Sequence, residues 1–157
     1  MPPQYLFDIS ALDLTKVLFD QEAIRKQNPQ RGAMEMLDAI VYIDPEHDRL
    51  IGYKDIREDE FWVKGHIPDR PLFPGVLMIE AAAQLASFYT RKFLKWEGFI
   101  GFGGVEDCRF RAAITPPSRF YILGQQIWHR HGRVCCKEQG IVNGNVVFET
   151  TIIGVRM

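Results

Sequence analysis

A histidine, a glycine and a glutamate stand in one short stretch, GHIPDRPLFPGVLMIEAAAQ over residues 65–84, and their types and order suit proton transfer beside a polarised carbonyl. His66 is the natural base near neutral pH. It lies in a loop where Pro68, Pro71 and Pro74 fix φ and stiffen the chain, a cost in backbone donors that makes sense where geometry must be held. Glu80 sits inside the apolar run VLMIEAAAQLASF, and its helical neighbours Val76, Leu77, Ala83 and Gln84 include no cation. A carboxyl buried there has a raised pKa and can serve as a general acid. The plainer alternative places Glu80 on a narrow exposed stripe and leaves His66 a structural loop residue. Gly75 opens the helix, where unpaired N–H groups carry the positive end of the dipole and a missing Cβ lets a carbonyl oxygen approach.

The elements that must position these groups are legible around them. The helix following Pro74-Gly75 is expected from about Val76 to Lys95, apolar nearly all round in its first half and therefore buried, then basic in TRKFLKWEG as it leaves for solvent. Before it, AMEMLDAIVYID and RLIGYKDIRED read as a strand pair joined at DPEHD. After it come four strand-like runs, GGVEDCRFRAAI, RFYILGQQIWHR, RVCCKEQGIV and VVFETTIIGVRM, expected to form an antiparallel meander, with Asn143-Gly144 as a hairpin turn. A sheet wrapped around one long helix is an α+β arrangement that buries both apolar faces. Residues 1–33 read as a helical leader, with Ser10 as a cap and Leu14, Val17, Leu18 and Ile24 at helical spacing until NPQRG breaks it; residues 34–157 form the body.

Composition removes several classes of function. A chain of 157 residues with net charge -1 has the size of one domain and no overall positive field to recruit nucleic acid. It has no apolar run long enough to span a bilayer, and MPPQYLFDISALD does not read as a secretory signal. The three cysteines, Cys108, Cys135 and Cys136, form no C-x-x-C pair and suit packing in a reducing cytoplasm. His129 and His131 make an H-x-H pair, but no carboxylate or cysteine pattern completes a metal site, and no metal or other cofactor is expected. Arg70, Arg91, Lys92, Lys95, Arg109 and Arg111 are candidates for a basic patch that meets an acidic partner.

The stretch at 65–84 closely resembles the motif of the (3R)-hydroxyacyl-[acyl-carrier-protein] dehydratases of type II fatty-acid synthesis, the FabZ type. Gly65, His66, Pro68, Pro71, Pro74, Gly75, Glu80 and Gln84 all match its G-H-F-P-x-x-P-x-x-P-G-V-L…E…Q pattern, and the likeness runs from about Met34 to the C-terminus. The resemblance implies a hot-dog fold and a reaction in which His66 takes a proton from C2 of a 3-hydroxyacyl thioester. Glu80 then protonates the departing C3 hydroxyl while the Gly75 N–H holds the thioester carbonyl. Gln84 is implied as a support for Glu80, with Pro74 and Gly65 shaping the loop. It also implies a substrate carried on acyl carrier protein and a site shared between subunits. The working unit is then at least a homodimer, with a trimer of dimers as a further assembly. Glu80 in place of Asp favours simple dehydration over dehydration with isomerisation. Three departures stand out: Ile67 replaces Phe, NPQRGAMEMLD replaces a Pro-His-Arg-Tyr-Pro-like run, and Pro116-Pro117-Ser118 replaces a Pro-Gly-Asp turn; Asp38 remains at the family's strand Asp. An acyl thioesterase and a non-catalytic acyl-thioester-binding protein are the competing readings.

Overall fold

The computed structural model describes residues 3–157, so the first two residues of the expected leader lie outside the described residues. The elements run α1 (Gln21–Arg25), a 3-10 turn (Gly32–Met34), β1 (Ala39–Asp44), β2 (Arg49–Ile56), α2 (Gly75–Lys92), β3 (Ile100–Phe110), β4 (Ser118–Arg130), β5 (Arg133–Val142) and β6 (Asn145–Arg156). The strands form one antiparallel sheet of 6 in the order β1-β2-β4-β5-β6-β3. It curls around α2, whose Met78, Ala81, Ala82, Leu85, Phe88 and Tyr89 are buried against its concave face.

The strand alternation has the period the sequence dictates. On β5, Val134 and Cys136 belong to the core under the helix, and Glu138 shares their side, while Ile141 belongs to a second apolar cluster on the outer face. Two-residue turns at His131-Gly132 and Asn143-Gly144 join β4-β5-β6, and all four residues have positive φ, as the hairpin turn that matches strand twist requires. The expected four-strand meander is not what forms. Only β4-β5-β6 is a meander; β3 pairs with β6 at the far edge. Beyond Phe110 the chain crosses the start of α2, where the Phe73 N–H donates to the Ile114 carbonyl (2.9 Å) and Ile114 is buried. That crossing closes one end of the core, a partner choice that alternation alone does not encode.

The helix ends at Lys92 rather than Lys95, because Lys95 (φ 59°) and Gly98 (φ 81°) turn the chain back toward β3. The expected helix from Ser10 does not form either. Asp8 and Asp13 accept hydrogen bonds from the backbone N–H groups of Ser10 and Thr15 (2.9 Å each), turns that compete with helical pairing; the Ser10 N–H holds the Asp8 carboxyl below its usual range, and the Thr15 hydroxyl, then its N–H, does the same for Asp13. Among the described residues the only helix before residue 32 is α1, five residues long and capped by Asp20 through the Ala23 N–H. Leu6, Phe7, Ile9, Leu12 and Leu14 instead spread over the outer face of the sheet against Val41, Ile51, Leu123 and Ile141. Gln139 fastens this strap with both ends of its amide, accepting from the Leu6 N–H (2.6 Å) and donating to the Gln4 carbonyl (2.8 Å).

Candidate active site

His66 ends a compact loop. The N–H groups of Gly65 and His66 donate to the Trp62 carbonyl (3.3 and 2.8 Å), and Trp62 is anchored in the core against Phe73, ring centroids 5.5 Å apart. The buried ion pair Lys54–Glu60 (2.9 Å) ties the same loop back to β2. The imidazole Nδ1 lies 2.8 Å from the Leu72 carbonyl oxygen. A carbonyl only accepts, so Nδ1 carries the proton and Nε2 of the neutral ring is left with its lone pair open. His66 is itself exposed, and it lines a cleft with Gly75, Met78, Phe110 and Ala112.

Gly75 lines the same cleft. Pro74, buried at the N-cap, offers no side-chain acceptor, and the first helical bonds run from Leu77 and Met78 to the Pro74 carbonyl (3.0 and 3.3 Å). Among the described residues nothing accepts from the Gly75 N–H. A Cβ at position 75 would stand 2.8 Å from the Phe110 ring, so glycine is needed for packing as well as for ligand approach. Gly65 differs, because an added Cβ there would meet nothing within 4 Å.

Glu80 occupies a stripe of α2 that the sheet leaves partly open, together with Val76, Ile79, Ala83 and Ser87; Val76 is 71% exposed. It is thus half-buried in the single chain, not enclosed as the apolar run suggested, because the sheet covers only the other faces of the helix. It has a neutral partner within its helix, Gln84. Gln84 Nε2 donates to Glu80 Oε1 (2.8 Å) and to the Met34 carbonyl (2.7 Å), while Gln84 Oε1 accepts from the Met36 N–H (2.9 Å). Gln84 is 2% exposed, and its backbone carbonyl takes a further bond from the Asn28 amide (2.9 Å). Gln84→Leu strands a buried N–H and carbonyl and is expected to lower unfolding free energy by about 2–4 kcal/mol, read from denaturant melts. The same variant loses the orientation of Glu80, so its activity falls further than its folded fraction.

His66 and Glu80 do not share a cleft within one chain. Glu80 lines a separate cleft of about 220 Å³ with Pro29, Gln30, Ser87, Thr90, Phe99 and Phe102. Helix α2 runs opposite to β3: its start touches Phe110 and its end faces Phe99 and Ile100, so the two clefts lie at opposite ends of the edge strand. The basic residues divide in the same way. Arg91 and Lys92 stand at the end of α2, about 25 Å along its axis from Gly75, and Lys95 follows just beyond it. Arg70, Arg109 and Arg111 lie at the other end, Arg111 held by Glu149 (2.6 Å). They do not form one patch on the single chain.

Burial raises the thiol pKa of Cys135 and, more strongly, of Cys136, which suits packing and disfavours thiolate chemistry. Among the described residues, the one His/Asp/Glu group with ligand atoms close enough for a metal is Asp44, Glu46 and His47 on the β1–β2 turn, and none of these lines either cleft. His129 and His131 stand at the exposed β4–β5 hairpin. Asn28 and Arg31, which pin the segment beside Gln84, were not singled out by the sequence, since nothing in NPQRG announces which side chains turn inward.

A six-stranded antiparallel sheet closed around one long helix that begins at Pro74-Gly75 defines a hot-dog protein. Its fold is shared with the dehydratase heterocomplex ApeI:P from Xenorhabdus doucetiae (TM-score 0.72, 15% identity, 85% of this chain and 90% of that one). The chain belongs to the FabA-like domain family, whose model matches residues 28–151. Among curated proteins it is similar to the 3-hydroxyacyl-[acyl-carrier-protein] dehydratase FabZ of Caldanaerobacter subterraneus subsp. tengcongensis, 35% identical over 98 residues (62% of this chain, 69% of the relative). The dehydratase FabZ of Desulfotalea psychrophila is 30% identical over 128 residues, 80% of this chain and 85% of the relative.

Proposed function

We propose that the protein dehydrates (3R)-3-hydroxyacyl thioesters carried on acyl carrier protein to trans-2-enoyl thioesters, as a cytoplasmic homodimer. The observation that carries this reading is the His66 ring, turned by the Leu72 carbonyl so that Nε2 is free, in one cleft with the uncapped Gly75 N–H. The substrate carbonyl accepts from that N–H, which acidifies C2. His66 Nε2 removes the C2 proton, the electron pair forms the C2–C3 π bond, and the C3–O bond breaks as Glu80 gives its proton to the leaving hydroxyl. Water departs, leaving imidazolium and carboxylate, and proton return resets the pair.

The acid comes from the other subunit. Strand β3 is an edge with open backbone groups and exposed Phe99, Phe102, Val105 and Phe110, the kind of edge that invites pairing with a second copy. Antiparallel pairing of β3 with itself about a two-fold axis sets the Ile100 end of one strand against the Phe110 end of the other. The Glu80 cleft of one protomer then meets the His66 cleft of its partner. The same pairing gathers Arg70, Arg109 and Arg111 with the partner's Arg91, Lys92 and Lys95, a combined basic rim for an acidic carrier protein. The test is complementation. His66→Ala and Glu80→Gln proteins, each inactive alone, are mixed and allowed to exchange subunits, and the mixed dimer regains one intact site and a substantial fraction of wild-type turnover. No recovery from a verified mixed dimer contradicts the shared site.

A further inference from the structure

The leaving hydroxyl poses a hydrogen-bonding problem that Glu80 alone does not solve. When Glu80 donates a proton to the C3 oxygen, the hydroxyl's own hydrogen needs a separate acceptor, and an unpaired polar hydrogen in a mostly apolar cleft is costly. Besides Glu80, the side chains lining the cleft that carry an acceptor are Gln30, Ser87 and Thr90. Thr90 stands ten residues beyond Glu80, about 15 Å farther along the axis, where its hydroxyl donates to the Ala86 carbonyl (2.8 Å). Ser87 stands two turns beyond Glu80, about 10 Å farther along the axis. Gln30 is left; it stands between this cleft and a small one beside Asn28 and Gln84, and its Oε1 is buried with no partner among the described residues.

Gln30 is also held in place. Asn28 on one side of it and Met34 on the other both bond to Gln84, one turn from Glu80, which sets the intervening segment against that turn. Arg31 clamps the backbone by donating to the carbonyls of Asn28 (2.7 Å), Gln30 (2.7 Å) and Arg25 (3.0 Å). A pinned backbone with an amide oxygen unsatisfied by its own chain is a prepared acceptor for a donor brought by a ligand.

We propose that Gln30 is the hydroxyl-binding residue of the Glu80 cleft, accepting the hydrogen of the substrate's 3-hydroxyl and of the water it becomes. This rests on the dehydratase reading, and it makes the site selective for acyl thioesters oxygenated at C3 over saturated ones.

The test compares wild type, Gln30→Leu and Gln30→Glu by turnover and by binding. Gln30→Leu is expected to melt with the wild type, to lose at least tenfold in kcat for dehydration and for hydration of the enoyl thioester, and to change KM for the enoyl thioester less than threefold. Gln30→Glu keeps an oxygen acceptor and recovers most of that loss. Independently of turnover, wild type binds a 3-hydroxyacyl thioester at least tenfold more tightly than the saturated acyl thioester of equal length, and Gln30→Leu binds the two alike. An unchanged kcat in a folded Gln30→Leu protein, or an unchanged hydroxyl preference, overturns the assignment. Should the wild type turn over no 3-hydroxyacyl thioester, the proposed activity fails, and the binding comparison still decides for or against Gln30.

Discussion

Glu80→Gln leaves the fold standing and lowers dehydration by about 10³-fold, the size of a general acid's contribution. The fold survives because Glu80 is half-buried and its partner within the chain is the neutral amide of Gln84, which can donate to a glutamine oxygen as well as to a carboxylate. The reaction does not survive, because an amide N–H is far too weak an acid to protonate a leaving hydroxyl. Steady-state turnover of a 3-hydroxyacyl carrier thioester beside a thermal melt separates the two. A melt at the wild-type temperature with turnover reduced less than threefold would remove Glu80 from the mechanism.

The largest expected effect on stability lies in the core. Glu138 points from β5 toward α2 on the side of Val134 and Cys136, 2% exposed, and neither carboxyl oxygen has a partner. Its cross-strand neighbours are Gly124 and Thr150, and the Thr150 hydroxyl is engaged with the Glu106 carbonyl (3.3 Å). Desolvation drives the carboxyl pKa well above its ordinary value, which favours the neutral acid in the folded chain. The unfolded chain ionises first as pH rises. Stability is therefore full below the unfolded pKa, near 4.3, and falls by up to about 1.4 kcal/mol per pH unit above it until the folded pKa is reached. Glu138→Leu removes both the buried acid and the slope, and is expected to raise unfolding free energy at pH 7 by about 2 kcal/mol or more. Denaturant melts of the two proteins across pH 5–8 read this directly. A variant less stable at pH 7, with the slope unchanged, contradicts it.

The candidate site was legible in the sequence where chemistry is written into residue type and spacing. The GHIPDRPLFPG run fixed the loop and the helix start, and the alternation of the last three strands located β4, β5 and β6 to within a few residues. Pairing was not legible, because alternation fixes a strand's faces and leaves its neighbour open; β3 therefore went to the edge beside β6 rather than next to β4. The leader misled for a related reason. Leu14, Val17 and Leu18 fit a helical period, but the local bonds of Asp8 and Asp13 and the apolar outer face of the sheet decided the conformation. Glu80 came out half-open for a third reason. Apolar residue types alone do not say which faces of a helix are covered, and the sheet of this chain covers only part of α2.

The most direct measurement is ultraviolet detection of the enoyl thioester formed from 3-hydroxyacyl carrier thioesters of short and long chain, run in both directions with His66→Ala as control. Reversible conversion by the wild type, lost in the variant, is the predicted result. Release of free thiol, or binding of the thioester without conversion, contradicts it.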